Sequence, residues 1–417
     1  MNVSILAVGT ELLFGQTINT NAAYLSERLN QMGFNVLYHF VVGDNPSRLK
    51  EMLSYVFERS DMVITTGGLG PTQDDLTKEI VCEYLGAEMY KDERALSEIE
   101  AHFAKTGRNM PENNIKQAIL PVGSTVFYNA SGTAPAFALE QEGKIAICLP
   151  GPPRELSWLY ENGVKDYLES FTHKKTYYRV IRTMGIGESH LETALLPLID
   201  GQTDPTIATY AKGGECSVRV TSQKDTLNEA EEAVNQMICE IDKLIGEYIF
   251  SYNDENINEV VVKKLIERGL TVSAAESCTG GKFASAITDV PGSSAVMGSS
   301  YVTYSIDSKV KELGVDKAVV DSKGVVSPEV AVAMAQGALS RSGSNIAVSV
   351  TGFAGPDADE GFNAGDAFIG YAHYDNDGKV SSGYVEYSRN RIRRDWNREE
   401  FTLTMLRTVY LILKGSL

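Results

Sequence analysis

The segment Thr65-Thr66-Gly67-Gly68-Leu69-Gly70-Pro71-Thr72-Gln73-Asp74-Asp75 follows an apolar run and joins a glycine-rich loop to two adjacent carboxylates. Glycines let backbone N–H groups approach an anion, and a helix opening just beyond adds the positive end of its dipole. Carboxylate beside phosphate is repulsive unless a divalent cation lies between them, so the pattern points to a metal-phosphate site. The plainer alternative is a tight turn in which Asp74 or Asp75 starts the helix. Gly9-Thr10-Glu11 and Pro150-Gly151-Pro152-Pro153-Arg154-Glu155 each end a strand-like run, the edge at which doubly wound sheets bind ligands. Asn19, Asn21 and Asp44 fall on neighbouring segments, where capping and turns are the competing explanation.

A second constellation lies far along the chain. Leu270–Ala275 leads into Glu276-Ser277-Cys278-Thr279-Gly280-Gly281-Lys282, a strand, a glycine-rich turn and a helix start. Such a turn can present a nucleophile with backbone N–H groups beside it. Ser277 and Cys278 are rival nucleophiles, and the alternative for Ser277 is a helix N-cap. A phosphate loop of the Walker type is excluded, because the four-residue spacer is missing and Phe283 replaces the required hydroxyl residue. No histidine lies in a motif-like context here, so a lysine or tyrosine must serve as base, and Tyr304-Ser305-Ile306-Asp307-Ser308-Lys309 supplies both. The basic run Arg389-Asn390-Arg391-Ile392-Arg393-Arg394 suits a phosphate, although isolated charge runs are usually solvated surface.

The elements that must position these groups alternate between strand and helix. Strand patterns at 3–8, 34–42, 62–66 and 144–149 are interleaved with helical patterns at 22–32, 46–59 and 76–85, which predicts an α/β unit with a mostly parallel sheet. From 174 to 251 the rhythm changes to a small α+β module, with strands at 177–184 and 215–222 and helices at 189–198 and 227–245. The polar stretch 251–256 precedes a helix at 257–267. Beyond it, strands at 270–275, 296–304, 346–351 and 366–373 and helices at 282–288, 328–340 and 398–413 predict a second α/β domain.

Composition narrows the function classes. The 417 residues carry a net charge of -17, a field that repels nucleic acid and anionic membranes. No signal-peptide pattern and no long apolar run is visible, which predicts a cytoplasmic protein. Cys82, Cys148, Cys216, Cys239 and Cys278 are widely spaced, as are His39, His102, His173, His190 and His373. Neither a disulfide framework nor a zinc site is indicated, so a metal here is expected to be a hard ion such as magnesium.

Gly9-Thr10-Glu11-Leu12-Leu13 with Asn19-Thr20-Asn21, the stretch Gly67 to Thr77, and Pro150-Gly151-Pro152-Pro153-Arg154-Glu155-Leu156 together closely resemble the CinA family, the competence/damage-inducible proteins. Met184-Gly185-Ile186-Gly187-Glu188-Ser189, Ala275 to Gly281, Val302-Thr303-Tyr304-Ser305, Lys309 and Val350-Thr351-Gly352-Phe353-Ala354-Gly355-Pro356 extend the resemblance along the chain. It implies a molybdopterin-binding-like three-layer α/β domain over 1–172, a KH-like α+β module over 173–251 and a nicotinamide mononucleotide (NMN) deamidase-like α/β domain over 252–417. Gly185-Ile186-Gly187-Glu188 is not the GXXG clamp of an RNA-binding KH domain, so the module reads as a spacer or dimerisation element.

The resemblance implies cleavage of ADP-ribose to AMP and ribose 5-phosphate in the first domain, with Mg2+ or Co2+ on Asp74 and Asp75. Nucleotide contacts would come from Thr10, Glu11, Asn19, Asn21, Asp44, Gly67, Gly68, Gly70, Pro71, Thr72, Gly151 and Pro152. In the last domain it implies conversion of NMN to nicotinate mononucleotide and ammonia without a cofactor, with Ser277 as nucleophile assisted by Tyr304 and Lys309. Thr351 falls at a further site position, and Arg391, or else Arg389, would meet the phosphate. A homodimer is also implied. The chain departs from the family after Pro356, where Asp357, Asp359, Glu360 and Asp366 stand in place of a glycine-rich continuation. That departure bears on NMN as the substrate more than on the serine chemistry; a chain with only the first activity retained is one alternative, and a non-catalytic nucleotide-binding adaptor in competence or DNA-damage response is the alternative outside enzymology.

Overall fold

The computed structural model describes the chain from Met1 to Leu417 apart from Thr106, His173, Gly213, Gly214, Glu360 and Asn376. His173, the boundary at 172/173 and Glu360, all singled out above, therefore fall on or against positions outside the described residues. The chain separates into two compact units, 1–178 with 222–234, and 179–221 with 235–417.

In the first unit a six-stranded sheet runs in the order Asn35–Val42, Asn2–Val8, Met62–Thr66, Lys144–Leu149, Ala136–Gln141, Thr125–Phe127. The first four strands are mutually parallel and the last two pair antiparallel. Period-two alternation divides the side chains between two cores. Val3 and Ile5 pack with Leu25, Leu29 and Leu159 on one face, while Leu6 and Val8 pack with Leu49, Leu53 and Val81 on the other. Each fully buried aliphatic side chain contributes roughly 1.5–3 kcal/mol relative to exposure. The parallel strands all end on one edge, which is where the glycine-rich loop, Gly9 and Pro150 emerge.

The middle segment forms a four-stranded sheet in the order Thr206–Lys212, Glu215–Lys224, Lys175–Thr183, Ile249–Ser251, with helices Glu188–Ile199 and Leu227–Ile245. The last region carries a five-stranded sheet in the order Met297–Val302, Val272–Glu276, Ile346–Gly352, Asp366–Tyr374, Val380–Ser388. The first three strands are parallel and the last two antiparallel. Helices Ile257–Arg268, Lys282–Thr288 and Arg394–Lys414 bury Leu265, Phe283, Phe401 and Val409 against Val272, Val348 and Ile369 on one face. Helix Pro328–Ser342 buries Val330, Met334 and Ala338 against Ala275, Ala347 and Ala372 on the other. Among the described residues no helix is long and apolar enough to cross a membrane.

Candidate functional site

The carboxyl edge of the first sheet opens into a cavity of about 560 Å³ lined by Gly9, Glu11, Asp44, Gly67, Gly68, Gly70, Pro71, Asp74, Asp75, Gly151, Pro152 and Glu155. Gly67 and Gly68 adopt φ of 100° and 69°, the left-handed region that glycine tolerates. A methyl on Gly67 would collide with the Val8 carbonyl, and one on Gly68 with the Thr77 hydroxyl. The Gly67 N–H is taken by the Leu149 carbonyl at 3.0 Å, whereas among the described residues no partner faces the N–H of Gly68, Leu69 or Gly70. These donors are available to an anion.

Neither aspartate starts the next helix. Helix Thr77–Leu85 has Leu76 at its N-cap and no side-chain cap. The Thr72 hydroxyl lies between the two carboxylates, 2.6 Å from Asp75 Oδ2 and closer still to Asp74 Oδ1, and the Thr72 N–H donates to Asp75 at 3.0 Å. The hydrogen bond from Thr72 leads the interactions that hold the Asp74 carboxyl below the usual carboxylate range. Asp75 packs against the Cα of Gly70, leaving no room for a side chain there. Lys116 donates to the carbonyls of Thr72, at 2.9 Å, and of Asp75, fixing the loop from beneath. The set offers only hard oxygen donors, which suits magnesium. Among the described residues no group of three or more His, Cys, Asp or Glu side chains stands together, so an ion held here would rest on the aspartates and on ligand oxygens.

Some residues of the expected nucleotide contacts work one step back. Thr10 does not line the cavity; its N–H and hydroxyl donate to Asp44 Oδ2 at 2.9 and 2.7 Å, holding Asp44 at the rim. Asn19 caps helix Thr20–Gln31 by accepting from the Ala22 N–H at 3.1 Å. The Asn21 amide donates to Thr66 Oγ1 at 2.8 Å and to the Gly151 carbonyl at 2.7 Å, tying two strand ends together. The cap of the helix Pro46–Phe57 is Asn45, which leaves Asp44 free of that duty. The cavity also takes in Gln117 and Thr133, which no local motif marks.

In the last region, Glu276 and Val350 pair across parallel strands, so Ser277 and Thr351 follow at adjacent carboxyl ends. Ser277 is not a helix N-cap, because Gly281 holds that position. Its Oγ accepts from Lys309 Nζ at 3.1 Å. Lys309 is 0% exposed and also donates to the carbonyls of Thr303 at 2.7 Å and Tyr304 at 3.3 Å. Burial away from water pulls its amine from the ordinary 10.5 down to about 8. An amine poised in that way can take a proton from a neighbouring hydroxyl.

The competing groups are placed otherwise. The Cys278 thiol is buried and pushed up to about 12, which disfavours the thiolate. Tyr304 presents its backbone carbonyl to Lys309, while its phenol, 62% exposed, meets Arg394 Nη2 at 3.3 Å. Thr351 donates its hydroxyl to the Val325 carbonyl at 2.8 Å.

The arginines of the basic run differ in their surroundings. Arg391 and Arg393 each stand over the Trp396 ring at 5.2 Å. Asn397 pins the backbone of the run, donating to the carbonyls of Arg391 at 2.7 Å and Ala354 at 2.9 Å. Arg389 abuts Gly365, where a methyl would collide with its carbonyl. Arg394 instead reaches the nucleophile's neighbourhood, donating to the Gly355 carbonyl at 3.0 Å as well as meeting Tyr304. Arg398 donates to the carbonyls of Cys278 at 3.1 Å and Thr279 at 2.6 Å. Within the departure after Pro356, Asp357 and Asp359 are exposed, whereas Asp366 is buried and engaged. Asp366 opens a strand, and its carboxylate accepts from the Asn363 N–H and the Ser388 hydroxyl, each at 2.7 Å. Glu276, which no motif singled out, is fully buried and accepts from the N–H groups of Gly281, Phe283 and Ala284, anchoring the turn that carries Ser277.

Three family patterns match this chain: "Probable molybdopterin binding domain" over 4–170, "Damage-inducible protein CinA KH domain" over 178–251 and "CinA C-terminal domain" over 254–410. A relative from Caldicellulosiruptor saccharolyticus, named for competence-damage induction, is 46% identical over 408 residues and 98% of each chain. A CinA-like protein from Dictyoglomus turgidum is 47% identical over 357 residues, 86% of this chain and 87% of that one. Among solved structures, the CinA protein of Thermoplasma acidophilum is 36% identical with a TM-score of 0.37, covering 40% of this chain and 98% of its own.

Proposed function

The chain belongs to the CinA family, and from that premise we propose that it is a hydrolase with two sites, one cleaving the pyrophosphate of ADP-ribose and one deamidating NMN. The observation that carries the reading is the Lys309 amine, buried and 3.1 Å from the Ser277 hydroxyl. Ser277 Oγ gives its proton to Lys309 and bonds to the carboxamide carbon of NMN. Lys309 returns that proton to the departing nitrogen, ammonia leaves, and water then releases nicotinate mononucleotide from the acyl-serine. Arg394, beside Tyr304, is the guanidinium best disposed to hold an anionic substrate.

In the first domain the free N–H groups of Gly68, Leu69 and Gly70 receive phosphate oxygens, and Glu11, Asp44 and Gly151 bound the remaining space. Asp74 and Asp75 would hold the divalent ion, with Thr72 and Lys116 fixing the loop. When bound, the ion supplies charge to the pyrophosphate oxygens as the bridging bond breaks. Separate incubation of the purified protein with NMN, and with ADP-ribose plus magnesium or cobalt, followed by chromatography, tests both halves. Nicotinate mononucleotide and AMP are the expected products. Ligand retained without turnover at either site would replace this reading with the nucleotide-binding adaptor.

A further inference from the structure

Glu155 is absorbed neither by the phosphate cradle nor by the aspartate pair, yet it lines the same cavity. It sits in the first turn of helix Pro153–Leu159, just past the rigid Pro150-Gly151-Pro152-Pro153 entry. Its carboxylate is held from one side. Asn129 Nδ2 donates to Glu155 Oε2 at 2.6 Å and to the Ala134 carbonyl at 2.9 Å, while Asn129 Oδ1 accepts from the Ser131 N–H at 2.9 Å. Gly132 lies so close that a methyl on it would collide with the carboxylate. Among the described residues no lysine or arginine forms an ion pair with Glu155, so no fixed cation locks it in the ionised state.

We infer that Glu155 is the general base of the first site, accepting a proton from the water that attacks a phosphorus of a diphosphate-linked nucleotide sugar. The role rests on the proposed pyrophosphatase reading and names the group that the reading lacks. Water oxygen bonds to phosphorus and its proton passes to the Glu155 carboxylate. The bond from that phosphorus to the bridging oxygen breaks, and the electron pair leaves on the departing phosphate. Asp74 and Asp75 are poor candidates for the step, since both face the Thr72 hydroxyl and a divalent ion would compete for their lone pairs. Burial raises the Glu155 carboxyl above its ordinary range, while Asn129, the charge of His102 and the Ala134 N–H pull the other way. The net effect favours proton uptake closer to neutral pH.

Three full-length proteins decide the matter: wild type, Glu155→Gln and Asn129→Ala, assayed for AMP release from ADP-ribose with magnesium across a range of pH. Glu155→Gln is expected to lose on the order of 10²–10⁴-fold in kcat, with KM close to wild type. Removing the Asn129 amide raises the Glu155 pKa, so the acid limb of the Asn129→Ala profile moves to higher pH. The charge of His102 acts on Glu155, and Glu11, Asp44, Asp74 and Asp75 line the same cavity; among the described residues none of these is hydrogen-bonded to Asn129. An active wild type with an equally active Glu155→Gln overturns this role alone. So does an acid limb that stays in place in Asn129→Ala, which decides the question even if Glu155→Gln fails to fold. A wild type that releases no AMP overturns the pyrophosphatase reading and this role with it.

Discussion

The two candidate sites lie at equivalent places, the carboxyl ends of parallel strands, and differ in where their reactive charge resides. Around the first cavity the chain offers backbone N–H groups and exposed or half-exposed carboxylates. At the last sheet the chain keeps its own cation, Lys309, fully out of water beside Ser277. Water screens the first set, whereas burial lowers the proton affinity of the second. The sheets differ in size, six strands against five, yet each places its candidate residues at the carboxyl ends of parallel strands.

Five substitutions sharpen or break that contrast. Ser277→Ala should reduce ammonia release from NMN by on the order of 10⁴-fold or more, as removal of a nucleophile does elsewhere. AMP release from ADP-ribose should continue; persistence of deamidation would remove Ser277 from the chemistry. Lys309→Met should cost on the order of 10²–10⁴-fold. In the wild type, the free amine is the active form, so kcat/KM for NMN should climb as pH rises through about 8 and level off above it. A profile flat across that range would mean that Lys309 only holds the carbonyls of Thr303 and Tyr304.

At the other site, Asp75→Asn should weaken magnesium-dependent AMP release by at least about 10–100-fold, the usual cost of disturbing a metal's partners. Excess magnesium should restore part of it, and deamidation should not change. The smallest contrast separates two arginines. Loss of a charge-assisted hydrogen bond, about 1.5–3 kcal/mol, predicts an increase of roughly 10–100-fold in KM for NMN with Arg394→Met. Arg391→Met, which forfeits only its stacking on Trp396, should leave KM nearly unchanged. Equal effects would show that the run acts as a diffuse basic surface.

Most of the fold was legible because its strands and helices carry strong periodicity. Helices Leu227–Ile245 and Lys282–Thr288 occur at the positions that the sequence predicts, and Met62–Thr66 and Lys144–Leu149 likewise. Strands Met89–Lys91, Ile119–Pro121 and Thr125–Phe127 are too short to show a repeat. Their pairing is settled by partners such as Ala136–Gln141 and Met89–Lys91 rather than by local preference. Helix Glu93–Lys105 buries Ala95 and Ile99, four residues apart on one face, a helical spacing present in the sequence itself.

The amino-acid sequence determined which reactive groups exist and which turns present them, since glycine conformations, strand ends and adjacent carboxylates are local properties. It also narrowed the nucleophile to Ser277 or Cys278 and the base to Tyr304 or Lys309. Tertiary structure sets the surroundings that distinguish them. Lys309 and Ser277 are 32 residues apart and meet through parallel register and a helix that buries the amine. The same packing seals the Cys278 thiol, leaves Tyr304 largely exposed and sets Arg394 beside it, while Arg391 stacks on Trp396. A side chain's proton affinity and reach depend on the dielectric and neighbours that distant segments supply, which no local spacing encodes.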